Sequence, residues 1–299
     1  MKLPFSLFFL SIPLVLAVSG CGSSRCTSVS AFGNLGPEIN SPFDDYAPVL
    51  QDTGTIIFTS NRDLPGTGGL RQQLSDLRPA HLFSSMRLSE RWDEAFPYQL
   101  APGSDGYEEA TLAWSPPGDP FGITAYFCGC DRPAGIGGCD LYAVTEGESG
   151  AVINLGPIIN SAVWDSQPFV TADGQQLWFS SNRPGGFGGY DLYVAERQPG
   201  GTWGEPKNAG PAVNSPKNEL SPFVHPATGT LYFAAETAER GLDIFQQKKG
   251  APKREALDAP YNSEADDFTP YVAGGKLYLA SNRGGGCDGY DLYAFPLGE

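Results

Sequence analysis

The chain has 299 residues, enough for two average domains or one large all-β unit, and carries 34 acidic against 19 basic residues for a net charge of −15. A surface this acidic excludes nucleic acid as a partner, because phosphate binding needs clustered Lys and Arg to release counterions. Glycine (38) and proline (26) recur at regular intervals, which predicts tight turns between short strands rather than disorder.

In chain order, the first element is a targeting segment. Lys2 supplies a positive start, and the apolar run from Leu7 to Val18 is too short to span a membrane as a permanent helix. The stretch Leu16-Ala17-Val18-Ser19-Gly20-Cys21 places small residues before a cysteine and resembles the bacterial lipoprotein cleavage box. That resemblance implies a signal peptide over 1–20, lipidation of Cys21 and a tether over 21–30. Several acyl chains on one residue exceed the two signals that stable anchoring requires. Gly22, rather than Asp, resembles the pattern sent on to the outer membrane, with the protein facing the periplasm. An ordinary secretory peptide followed by an incidental cysteine is the competing reading.

Five further cysteines follow: Cys26, Cys128, Cys130, Cys139 and Cys287. An exported chain meets an oxidising compartment, so disulfides are allowed. Cys128, Cys130 and Cys139 have the spacing of a partial metal site. No fourth ligand lies near them, however, since His81 and His225 fall in other repeats. A disulfide from Cys139 to Cys128 or Cys130 is therefore expected.

From residue 31 to 299 the chain reads as five repeats of one unit. Taking Pro48, Thr111, Pro168, Pro222 and Pro270 as equivalent gives spacings of 63, 57, 54 and 48 residues, the size of one four-stranded propeller blade. Short aromatic and β-branched runs such as Ile56-Ile57-Phe58 alternate with Asp-x-Gly and Asp-Gly turns, and no sustained helical period occurs outside the signal. The predicted fold is an all-β propeller of five four-stranded blades. A sixth, degenerate blade between Arg62 and Gly106 stays open, and the first unit carries an insertion over about Asp63–Pro79. The last unit stops after a third strand, whereas the first opens with Ala31-Phe32-Gly33-Asn34-Leu35, the counterpart of a fourth strand elsewhere. The head of the chain is thus expected to complete the final blade, with Cys26 and Cys287 paired across the seam.

The pattern Pro-Phe-Val, Asp-Gly, then Leu177-Trp178-Phe179-Ser180-Ser181-Asn182-Arg183-Pro184-Gly185-Gly186-Phe187-Gly188-Gly189-Tyr190-Asp191-Leu192-Tyr193 resembles the WD40-like repeat of TolB-type periplasmic proteins and of related envelope lipoproteins. The similarity covers about Ala31–Phe295. His81, Cys139 and Ala234-Ala235-Glu236 depart from it in the first, second and fourth units, respectively. No OmpA-like segment follows Glu299, so a peptidoglycan anchor of that kind is not expected, although peptidoglycan itself stays among the candidate partners. The resemblance implies binding within the cell envelope, to a protein or peptide, with membrane contact through the lipid.

One constellation recurs in every unit. Three residues before each anchor stands an acid: Asp45, Glu108, Asp165, Glu219 and Asp267. These entries to the innermost strands are expected to ring one channel mouth, near Arg62, Arg132, Arg183 and Arg283. On one reading each acid caps turn amides or pairs with an arginine; on the other the ring seats calcium or a basic peptide. The fourth unit lacks its arginine, which predicts an unpaired Glu219. Asp140, Asp191, Asp243 and Asp291 read as turn-organising residues. Trp92 and Trp203 read as blade packing, and the insertion Leu64–Gln73 as a partner loop or a tolerated excursion. The glycine runs lack the Lys-Ser/Thr and helix of a phosphate loop, so no nucleotide is expected. Catalysis is the alternative, as a five-bladed carbohydrate-active enzyme or glycan binder using channel carboxylates. A symmetric ring, no Gly-x-Ser-x-Gly elbow and two isolated histidines weigh against it. The expected role is a non-enzymatic, outer-membrane-anchored binding module without a cofactor.

Overall fold

A computed structural model describes residues 32–64, 79–89, 91–102, 107–147 and 150–298. Among them every regular element is a strand, and the strands form five antiparallel sheets in chain order. Blade one holds β1 (Asp45–Leu50), β2 (Thr55–Ser60), β3 (His81–Leu88) and the short outer pieces β4 (Arg91–Trp92) and β5 (Phe96–Pro97). Blade two holds β6 (Glu108–Trp114), β7 (Ile123–Cys130), β8 (Cys139–Thr145) and β9 (Val152–Asn154). Blade three runs through β10 (Asp165–Val170), β11 (Gln176–Ser181), β12 (Asp191–Glu196) and β13 (Lys207–Asn208). Blade four has β14 (Glu219–Val224), β15 (Leu231–Glu236), β16 (Leu242–Gln247) and β17 (Glu255–Ala256), and blade five has β18 (Asp267–Ala273), β19 (Lys276–Ser281) and β20 (Asp291–Pro296). The described residues between Arg62 and Gly106 supply the outer strands of blade one, and the described residues hold five blades. Of the insertion over about Asp63–Pro79, residues 65–78 lie outside the described residues.

The missing fourth strand of the last blade comes from the other end of the chain. Asn34 bridges Tyr293, the Leu35 amide donates to the Leu292 carbonyl at 3.0 Å, and the Ala294 amide donates to Gly33 at 2.7 Å. Gly33 sits at φ +88°, and a Cβ there would lie 2.3 Å from the Phe295 ring, so only glycine lets the two segments close. The ring is thereby shut and two sheet edges are removed.

Each innermost strand carries the same kink. The ladder between first and second strands slips by one residue, and the residue at the slip takes a left-handed backbone: Ala47, Thr111, Gln167, Ser221 and Thr269, with φ between 50° and 57°. In four blades a proline follows, whose missing N–H takes the unpaired ladder position of the bulge. The kink also fixes the correct alignment of blade two. Thr111 is the counterpart of Ala47, so the equivalent of Pro48 is Leu112, one residue after the anchor chosen from sequence. Where the five kinked strands converge they leave a cavity of about 50 Å³, bordered by Pro48, Leu112, Pro168, Pro222 and Pro270.

Aromatic rings pack within and between blades. Phe58 stacks on Phe83, Phe179 on Tyr193 and Phe233 on Phe245 within one blade, while Tyr46 meets Phe268, Phe169 meets Phe223 and Phe223 meets Tyr271 across neighbouring blades. Trp203 is buried against Tyr126 of the preceding blade, as expected of a packing residue. Beside it the buried Arg197 pairs with Asp119 and donates to the Tyr126 hydroxyl, joining the outer parts of blades two and three.

Candidate functional site

The acids of the innermost strands are the natural place to look for chemistry, and the structure assigns each of them a partner. Asp45 bonds Arg62 at 2.5 Å, Asp165 bonds Arg183 at 2.7 Å and Asp267 bonds Arg283 at 2.5 Å, with all three carboxylates fully buried. A second oxygen of each accepts from the amide and hydroxyl of a serine four residues earlier: Ser41, Ser161 and Ser263. Burial raises the Asp45 carboxyl above its usual range despite the opposing pull of Arg62.

Glu219 is not unpaired. Arg254, from the turn before β17, reaches it at 2.7 Å and donates to the Val213 carbonyl. The arginines of blades one, three and five make the same second bond, Arg62 to Ile39, Arg183 to Ile159 and Arg283 to Tyr261. Each guanidinium also lies over two rings of its own blade; Arg254 covers Phe233 and Phe245 as Arg183 covers Phe179 and Tyr193. One charge position is thus filled from two different places in the sequence. The loss in the fourth unit is also one residue later than expected: Ala235 opposes Glu219 as Ser60 opposes Asp45, so Ala235-Glu236-Thr237 replaces Ser-Asn-Arg.

Blade two corrects the ring itself. Its member is Glu109, which pairs with Arg132 at 2.5 Å, not Glu108. The reason is the kink at Thr111, which sets the inward-facing acid two residues before it, as Asp45 stands before Ala47. Glu108 is an additional acid on the other side of β6. The Ala80 amide reaches it at 3.4 Å, while burial, reinforced by nearby Asp131, pushes its carboxyl up to about 7.

Asparagines that sequence reasoning passed over do as much as the arginines. Asn40, Asn160, Asn214 and Asn262 each accept from the amide and donate to the carbonyl of one residue in the preceding blade's third strand: Leu292, Leu141, Leu192 and Ile244. The pair Asn-Ser, standing five and four residues before each acid of blades one, three, four and five, was the available signal.

The glycine turns serve the same docking. A Cβ on Gly188 would sit 1.7 Å from the Lys217 carbonyl of the next blade, and one on Gly137 would sit 2.0 Å from Val163. Within these turns Asp140 accepts from the Ile136 and Gly137 amides, and Asp191 from Phe187 and Gly188. Asp291 accepts from Cys287, while Asp243 pairs instead with Arg240 at 3.0 Å.

Burial pushes the Asp291 carboxyl up to about 7 from 3.8. A raised folded value means that stability is fully present below the unfolded value and is lost as pH rises through about 7. Glu108 acts in the same sense. The melting temperature is therefore expected to fall as pH is taken from about 5 to 8. Asp291→Asn with Glu108→Gln should flatten the profile; a wild-type curve flat over that range would refute it.

Cys139 bonds to Cys130, and Cys128 remains a thiol. Cys287 is in a disulfide; Cys21 and Cys26 lie outside the described residues.

No protein-family model matches the chain, and no curated protein matches it significantly. Among solved structures it is similar to a glycoside hydrolase (10% identity, TM-score 0.52, 92% of each chain). A second is a β-xylosidase/α-arabinofuranosidase from a compost microbial metagenome (13% identity, TM-score 0.50, 90% of this chain and 94% of that one). A third is TolB from Acinetobacter baumannii (18% identity, TM-score 0.43, 72% of this chain), of which the chain spans 43%. At these identities the likeness is one of fold. The chain is a five-bladed β-propeller.

Proposed function

We propose that this propeller is a lipid-anchored, periplasm-facing module of the outer membrane that binds an envelope protein or peptide and catalyses no reaction. The observation that carries this reading is the fate of the ring. Asp45, Glu109, Asp165, Glu219 and Asp267 are each held in an arginine pair, and glycoside hydrolysis needs two carboxyl groups free to exchange protons or attack a sugar. The central cavity supports it too. At about 50 Å³, bordered by prolines, hydroxyls and apolar side chains, it is far smaller than a ligand pocket and has no carboxylate among its lining residues. Contact then falls to the loops, where Ile136 and Phe187 occupy equivalent exposed tips of blades two and three.

Crosslinking in intact envelopes, with and without Cys21, tests the proposal. A specific partner whose capture falls on Ile136→Asp with Phe187→Asp, and on loss of Cys21, is the expected result. A screen against glycans and peptidoglycan fragments is the counter-test. Turnover abolished by Glu108→Gln, an acid beside the ring whose carboxyl burial pushes up to about 7, would overturn the non-enzymatic reading.

A further inference from the structure

Blade two differs from the others at the point where β7 enters its turn. Cys128 and Cys130 stand two apart on β7 and so share one face of the sheet, while Cys139 opens β8 directly opposite Cys130. The three sulfurs lie within 4.8 Å of one another, and all three residues are buried. Two form the disulfide. The third, Cys128, keeps its thiol against the Asp165 carbonyl at 3.8 Å.

We propose that, once the Cys130–Cys139 bond is reduced, these three thiols form a binding site for trivalent arsenic. The reductant is a dithiol: its two sulfurs become a disulfide, and Cys130 and Cys139 each gain a hydrogen. Arsenous acid then condenses with the site. Three As–O bonds break, three As–S bonds form to Cys128, Cys130 and Cys139, and three waters leave with the three thiol hydrogens.

Charge and coordination number select this ligand over other soft ions. All three sulfurs are buried, in surroundings that disfavour net charge. Zinc on three thiolates would leave a net negative charge and prefers a fourth ligand, yet neither histidine of the chain lies in this repeat. Trivalent arsenic takes three sulfurs in a pyramid, needs no fourth donor, and leaves the centre uncharged. Thiolate and thiol donors also suit soft centres in general.

The test uses the full chain reduced with a phosphine, which does not compete as a thiol, and arsenite as the probe. Native mass spectrometry is expected to show one arsenic gained with three hydrogens lost, and arsenite to raise the melting temperature of the reduced protein. Cys128→Ser leaves every other thiol in place and should weaken uptake at least about tenfold, which is ~1.4 kcal/mol. Equal affinity in Cys128→Ser would place the arsenic elsewhere and overturn the proposal. So would a reduced wild type that takes up none, or one whose circular dichroism shows it unfolded.

Discussion

Arg254→Ala and Glu219→Ala will each destabilise the propeller by about 3–5 kcal/mol, because removing one partner strands the other as a buried, uncompensated charge. For a domain of this size that corresponds to a melting temperature lower by roughly 10 °C. The Glu219 carboxylate is fully enclosed, bonded to Arg254 at 2.7 Å and to the Ser215 amide and hydroxyl. Without Glu219 the guanidinium keeps only the Val213 carbonyl and the faces of Phe233 and Phe245. A double-mutant cycle should return a large coupling, since the second deletion removes a charge that the first had already left alone. Arg254→Lys separates geometry from charge: a point ammonium cannot bond the carboxylate and the carbonyl at once while lying flat on two rings. It should recover less than half of the loss. Calorimetry decides the matter. If Glu219→Ala melts with the wild type, the pair has no structural task and the ring becomes available again as a ligand seat.

How much of this could be read in advance depends on the kind of signal. The Asp-Leu-Tyr and Ser-Asn-Arg strings recur from unit to unit, so the propeller and the closing role of Ala31–Leu35 are legible in the sequence, while the long excursion after Arg62 leaves five and six blades both open there. Blade two was misaligned by one residue because its anchor lacks proline: Thr111 looked equivalent to Pro48, but equivalence is set by the left-handed kink, which no residue type announces when the next residue is leucine. The same slip promoted Glu108 over Glu109. Arg254 was invisible for a different reason. It lies 35 residues after its partner, outside the motif where the other arginines sit, and only the fold brings it to the same carbonyl and the same pair of rings. Side-chain function here is held by position in space, and sequence order tracks it only while the motif is intact.

The seam is where identical chemistry should give unequal results. Asn40 and Asn214 make matching bonds: to Leu292 N and O at 2.8 and 3.1 Å, and to Leu192 N and O at 2.9 and 2.9 Å. Alanine at either site leaves a buried amide and carbonyl without those bonds, and the expected cost is about 2–3 kcal/mol in each case. The difference lies in what still holds the junction when the contact opens. Asn214 is 22 residues from its partner, whereas Asn40 is 252 residues from Leu292. Once the Cys287 disulfide is reduced, only non-covalent contacts join the head of the chain to its tail, whereas the chain itself keeps blades three and four together. In reduced Asn40→Ala the ring should therefore part at the seam before it unfolds globally. Native-state hydrogen exchange reads this directly: the Leu35 and Ala294 amides, which close the ring on Leu292 and Gly33, should exchange well ahead of the β11–β12 core, whereas Asn214→Ala should lower protection evenly. Equal protection across all five blades in Asn40→Ala would mean that the ring holds without its asparagine clasp, and that closure rests on the backbone bonds and on Gly33 against Phe295.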